Sequence, residues 1–267
     1  MSKKRMIISL VIFVALIISL IIGIVLTNTG GSHEPIQEVM KNEVLHETHK
    51  VSLFGIKDVN PGLISAFTVS ALMILFALIV RIFVIPKFKQ KPKGFQLLLE
   101  EAVGLFDRLA KNNSPHKNGF LGAYIFVAGS YIALSTIFEL LGLRAITVEG
   151  LNAVLPAPLA DINGAIAMGF MSYGVILVSG LITNGLKGAG KALKDFSLPI
   201  SMSFRIFGAM LSGALVTELV YHYLALSFVL PVIVGVLFTL LHAIIQAYVL
   251  TTLTSLFYGE VTEKHHK

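Results

Sequence analysis

The 267-residue chain is 55% hydrophobic and only 13% charged, with a formal net charge of +6 and no cysteine. Several apolar runs approach the roughly 20 residues that a helix needs to cross a hydrocarbon core, which excludes a soluble globular domain and predicts an all-α polytopic membrane protein in one bundle. The missing cysteine excludes disulfides, thiolate metal sites and a cysteine nucleophile, and the positive charge does not point to nucleic acid because the basic residues lie between spans.

Met6–Thr27 is the first apolar segment, preceded by Lys3, Lys4 and Arg5. Its run exceeds the roughly 7–15 residues of a signal-peptide core, and Thr27-Asn28-Thr29 is no A-x-A cleavage site, so it reads as a retained anchor. Gly30–Lys57 is polar and rich in His and Glu, an aqueous loop that separates an N-terminal unit, 1–57, from a membrane domain, 58–267. Pro61–Ile85 is the next span and ends in Arg81, Pro86, Lys87, Lys89, Lys91 and Lys93, a cytoplasmic signature. In Phe95–Lys111, Phe95, Leu98, Leu99, Val103, Phe106 and Leu109 recur mostly at helical steps between Glu100, Glu101, Asp107 and Arg108, which predicts an amphipathic surface helix. Gly119–Leu143 and Ala160–Thr183 are two further spans, Asn184–Lys194 reads as a Gly/Lys loop, and Phe196–Ala225 with Leu230–Tyr258 forms a final hairpin.

The expected bundle therefore has about six hydrophobic helices, the N-terminal one included. At about 1.5 Å per residue, the hairpin helices are roughly 45 Å long against a core of about 30 Å, so they tilt strongly or lie along a partner. With the N-terminus inside and the surface helix uncounted, only Lys41, Lys50, Lys57 and Arg144 fall outside; the other basic residues, Arg205 apart, fall inside. That distribution follows the positive-inside bias and places both termini in the cytoplasm.

Arg205 is a permanent charge inside an apolar run. An arginine near the bilayer centre costs about 2.5–3.5 kcal/mol on insertion scales, so it marks a site facing a partner or a water-filled cavity. Gly208, Ala209 and Ser212 share its helical face, and small residues let another helix approach closely. Glu218 lies thirteen residues on, roughly 20 Å along the axis, too far to pair with the arginine in one straight helix. His222 follows Glu218 at i+4, so two proton-exchanging groups share a face; an ion path and simple hydration at the outer interface fit them equally. On the last helix Thr239, His242 and Gln246 form a polar stripe that favours a lined aqueous cavity. Glu139, Asp161 and Asn163 are weaker signals at outward span ends, and Asp161 fits a helix cap. Gly185–Lys194 lacks P-loop spacing, and His265 and His266 sit side by side in a tail, a poor metal pair, so no cofactor or metal is expected.

Ser197–Leu215 reads SLPISMSFRIFGAMLSGAL and resembles the P-x-S-x-x-x-R-x-F-G signature of the a subunit of F-type ATP synthases. PKGFQLLLEEAVGLF at Pro92–Phe106, PLADIN at Pro158–Asn163 and HAIIQAYVLTTLTSLFY at His242–Tyr258 agree in the same order, whereas Met1–Lys50 has no counterpart. The resemblance implies a non-catalytic subunit of a proton-transporting complex in a bacterial plasma membrane. It implies that Arg205 faces a ring of c subunits with Gln246 as its neighbour, and that b subunits of a peripheral stalk are further partners.

The chain departs from the family at Ala209, where many members carry Asn, and at Ala214, where they carry an acid or His. Glu218 lies one turn beyond Ala214 and about 40° round, so it can supply the exchanging group from nearly the same face. His242 lies one turn from Thr239, at a position where the family often has a titratable residue. The expected mechanism has two offset half-channels separated by Arg205, with Glu218, His222 and His242 lining the outer one. Two other classes remain open at this point: a self-contained channel or transporter, which needs an internal repeat or broken helices, and a non-transporting assembly anchor.

Overall fold

The computed structural model describes residues 51–53, 56–141, 143–146, 152–222 and 233–263, with isolated positions between 14 and 41. The expected anchor Met6–Thr27 and most of the loop after it lie outside the described residues, as does the link between the last two helices.

Outside the helices the chain forms two short antiparallel ladders, β1 (Val51–Leu53) with β2 (Ile56–Val59) and β3 (Arg144–Ile146) with β4 (Asn152–Val154). The larger elements among the described residues are helices. Helix α1 (Pro61–Ile79) starts where Pro61 pre-sets the backbone and the Asn60 side chain accepts the Gly62 amide at 2.8 Å. It continues through a π turn, Val80–Val84, and a 3-10 turn, Ile85–Lys87. Gly94, at φ 57°, turns the chain into α2 (Phe95–Asn113). As its spacing predicts, α2 is amphipathic, with exposed ion pairs Arg108–Glu101 at 2.5 Å and Lys111–Asp107 at 2.6 Å. Then come α3 (Gly119–Leu140), α4 (Ile162–Lys194) and α5 (Ser197–His222). A π turn, Gly235–Leu240, leads into α6 (Leu241–Thr262).

Among the described residues five helices are long and apolar enough to cross a membrane: Pro61–Lys87, Gly119–Phe138, Ile162–Lys194, Ser197–Thr217 and Leu237–Thr262. The core lies between α3, α4, α5 and α6, where Leu121, Ile125, Ile132, Ile176, Met202 and Ile206 are all but sealed. Helix α1 stands apart, with only 11% of its apolar window buried, and leaves its flank to lipid.

The Asn184–Lys194 segment corrects the expectation of a loop. It is helical, and α4 breaks at Gly185, where φ 61° and ψ −145° demand a glycine. The chain then runs back along α4, so that the Tyr173 hydroxyl donates to the Ala192 carbonyl at 3.0 Å. In a straight helix those residues would stand about 28 Å apart. Gly188 makes the return possible, since a side chain there would collide with the Gly180 carbonyl. The sequence cue, glycine among lysines, resembles a loop because one glycine turns the backbone while another packs it.

Both ends of the bundle are tied by polar clamps. At one end Asp161 caps α4 by accepting the Asn163 amide at 2.7 Å, and its other oxygen takes a short bond from the Asn60 side chain. The caps of α1 and α4 thus hold each other, with Gly62 leaving room for the Asp161 side chain. At the opposite end the Asn184 amide donates to the carbonyls of Val261 at 2.8 Å and Glu263 at 3.0 Å, covering the last turn of α6. His116 meets Thr262 at 3.0 Å, and Asn113 donates to Ser255 at 2.7 Å.

Two stability predictions follow from these contacts. Gly188→Ala forces the two arms of the α4 hairpin apart and lowers the thermal denaturation midpoint of the membrane-extracted protein. Gly190→Ala meets open space within the same helix and raises it, by up to about 1 kcal/mol of helix propensity. Asp161→Ala removes the cap and strands the Asn60 amide, costing at least about 1 kcal/mol; Asp161→Asn, which still caps, loses less in the same assay.

Candidate ion-pathway site

Helix α5 positions Arg205 through what lies behind it. Gly169 on α4 has no room for a side chain, because a Cβ would collide with the Ser203 hydroxyl and come within 2.8 Å of the Pro199 carbonyl. The Ser203 hydroxyl turns inward to the same carbonyl at 2.7 Å. This contact pulls Met202, Ser203, Ile206 and Met210 into the core, and at about 100° per residue it turns the opposite face outward. Ser201, Phe204, Arg205, Gly208 and Ser212 are accordingly exposed.

Among the described residues Arg205 has neither an ion pair nor a hydrogen bond, and the two ion pairs present both lie on α2. An outward guanidinium on a face of small residues, with no acid of its own, is set up for an anion or dipole that another molecule brings. Glu218 and His222 lie further along α5, on the helix that carries Arg205. Their side chains, and that of Glu139 on α3, lie outside the described residues.

The stripe of the last helix is spread over two environments. Thr239 lies within the π turn and is buried, and Gln246 is buried in the second turn of α6. The Gln246 side-chain oxygen has no hydrogen-bond partner among the described residues, an open acceptor inside the bundle. His242 is half-buried; its Nδ1 stands 2.6 Å from the Phe238 carbonyl, and its ring stacks on Phe238 with centroids 5.7 Å apart. If Nδ1 carries the hydrogen in that contact, Nε2 is left as the acceptor.

A cavity of about 760 Å³ lies between α1, α3 and α4. That is within the range of a ligand or solvent chamber. It brings Asp161 and Asn163 together with Asn60 at one end, and Ser70, Tyr124 and Tyr131 along the wall. Arg205, Thr239, His242 and Gln246 are not in its lining. Tyr124 is held by Ser172 at 2.8 Å. Asn60 carries no charge to mark it in the sequence, although Asn followed by Pro, at the head of an apolar run, is the signal of a capped helix start.

Residues 65–259 match the family described as ATP synthase A chain. That stretch begins in α1, ends near the close of α6, and contains Arg205, Asp161 and most of the cavity lining, whereas Asn60, Gly62 and Leu63 precede it and residues 261–263 of the opposite clamp follow it. It is far more than half of the 267 residues. The chain belongs to the ATP synthase A chain family, and it is an integral membrane subunit of the proton-translocating Fo sector that works with the c-ring.

Proposed function

We propose that this chain is the stator wall past which the c-ring turns, with two offset aqueous half-channels separated by Arg205. The observation that carries the reading is the outward Arg205, without an acid among the described residues, on a face of small residues. A fixed cation there opposes direct passage of protons across the membrane. It attracts each ring carboxylate once that group has lost its proton, so charge crosses only as the ring rotates. The driving term is about 2.3 kcal/mol per charge per 100 mV, plus any pH difference.

The outer half-channel opens at the polar end of the α1–α3–α4 cavity, with Asn60, Asp161 and Asn163 at its mouth. The positive-inside orientation puts that end outside and both termini in the cytoplasm. Glu218, His222 and His242 line the inward continuation, Glu218 as the group that exchanges protons with the ring, and Gln246 keeps company with Arg205. The b subunits hold the stator against the ring's torque, residues 1–57 add an N-terminal anchor and external loop, and the complex resides in a bacterial plasma membrane. The chain itself is non-catalytic.

Replacing Arg205 by Ala or Lys tests the reading when assembly and ATP-driven proton pumping in vesicles are measured together. The expected result for Ala is an assembled complex without coupled pumping. Normal pumping would overturn the mechanism, and loss of assembly would mark an anchor instead. Glu218→Gln is expected to slow pumping with assembly intact; an unchanged rate removes Glu218 from the path.

A further inference from the structure

The returning arm of the α4 hairpin, 186–194, has three distinct stripes. Gly188 and Ala192 are buried against α4. Leu186 and Leu193, within about 20° of each other around the axis, are 86% and 56% exposed, and Leu186 is the most exposed large apolar side chain among the described residues. Lys187 and Lys194 form the third stripe, about 100° from the leucines and about 10 Å apart along the axis; both are exposed. Lys191 turns instead toward the Glu260 carbonyl at 3.4 Å.

No acid lies within 186–194, and neither exposed lysine has an ion pair among the described residues. Asp195, Glu260 and Glu263 form no ion pair with either lysine among the described residues. The turn into α5 is short, carried by the Asp195 amide to the Ala192 carbonyl and the Phe196 amide to the Leu193 carbonyl. The apolar row therefore runs on from Leu193 through Phe196, Ile200 and Phe204, which are 51%, 42% and 61% exposed. The surface thus changes from cationic at the hairpin to apolar toward the middle of α5.

We propose that this row is a binding site for one anionic phospholipid, with its phosphate between Lys187 and Lys194 and an acyl chain along Leu193, Phe196, Ile200 and Phe204. A soluble anion has no use for the apolar row, and an acidic peptide would leave four large side chains facing lipid. A charged head on a hydrocarbon tail matches both parts, with the lysine stems covering apolar surface while their ends reach the head group. The site places a lipid next to the face that carries Arg205.

The test uses the assembled, detergent-extracted synthase, titrated with phosphatidylglycerol in phosphatidylcholine nanodiscs and read by native mass spectrometry. The double variant Lys187→Gln, Lys194→Gln is expected to bind phosphatidylglycerol about thirtyfold more weakly, given about 1 kcal/mol per basic residue near an anionic head group. The double variant Lys187→Arg, Lys194→Arg is expected to bind like the parent and shows that the fold tolerates changes there. Equal phosphatidylglycerol binding by the Gln pair overturns the proposal. So does loss of ring subunits from the Gln pair with lipid binding unchanged, which marks a protein contact.

Discussion

The close backbone contact between α4 and the chain that returns along it sets the rest of the structure. In a bilayer there is no hydrophobic force between helices, because lipid tails are as apolar as leucine, so association rests on packing and on polar links. Gly169, Gly180 and Gly188 give up their side chains at successive levels of this seam, against Ser203 and Pro199 at one level and against each other at another. The seam fixes the rotation of α5. Once Met202, Ile206 and Met210 face inward, Arg205 has to face outward. The cost of the charge is thereby handed to whatever lies against α5.

Such an arrangement works only if the seam does not yield, and the polar clamps supply that stiffness. Asn60 and Asp161 join α1 to α4 at one end, while Asn184, His116 and Asn113 hold the last turns of α6 at the other. These partners belong to segments far apart in sequence, so each bond removes a sliding motion that packing alone would permit. Helix α1 has little packing to lose. With its flank open, its Asn60 end is fixed by the cap-to-cap bond and by the small cluster of Val69, Phe138 and Leu155.

The spans and the surface helix were legible because each carries a periodic or uninterrupted apolar signal longer than any loop, and Arg205 was legible as a cation well inside such a run rather than at its end. The ladders β1–β2 and β3–β4 were not, since strands of three or four residues hold too few positions to show a period. The returning helix 186–194 was hidden by composition: Gly185, Gly188 and Gly190 together resemble a flexible link, yet Gly185 alone takes a left-handed conformation. The π turns depend on packing that no local pattern records. The cavity is assembled from α1, α3 and α4, and only the caps of its polar end have a local signature.

Exposure of Arg205 has a further consequence for the proposed rotary cycle. A guanidinium and a carboxylate about 4 Å apart attract by about 4 kcal/mol at the effective dielectric of a protein surface. The membrane potential supplies about 2.3 kcal/mol per charge per 100 mV. These quantities are comparable, so an arriving carboxylate is held and can still be released by the next step of rotation. Deeper in the core, with less screening, the same pair would form a trap that the available driving force could not empty. The seam that turns Arg205 outward therefore sets both the presence of the charge at the interface and the strength of its grip. A substitution that left Arg205 in place but rotated α5 inward would impair turnover by binding the ring too firmly, rather than by failing to bind it.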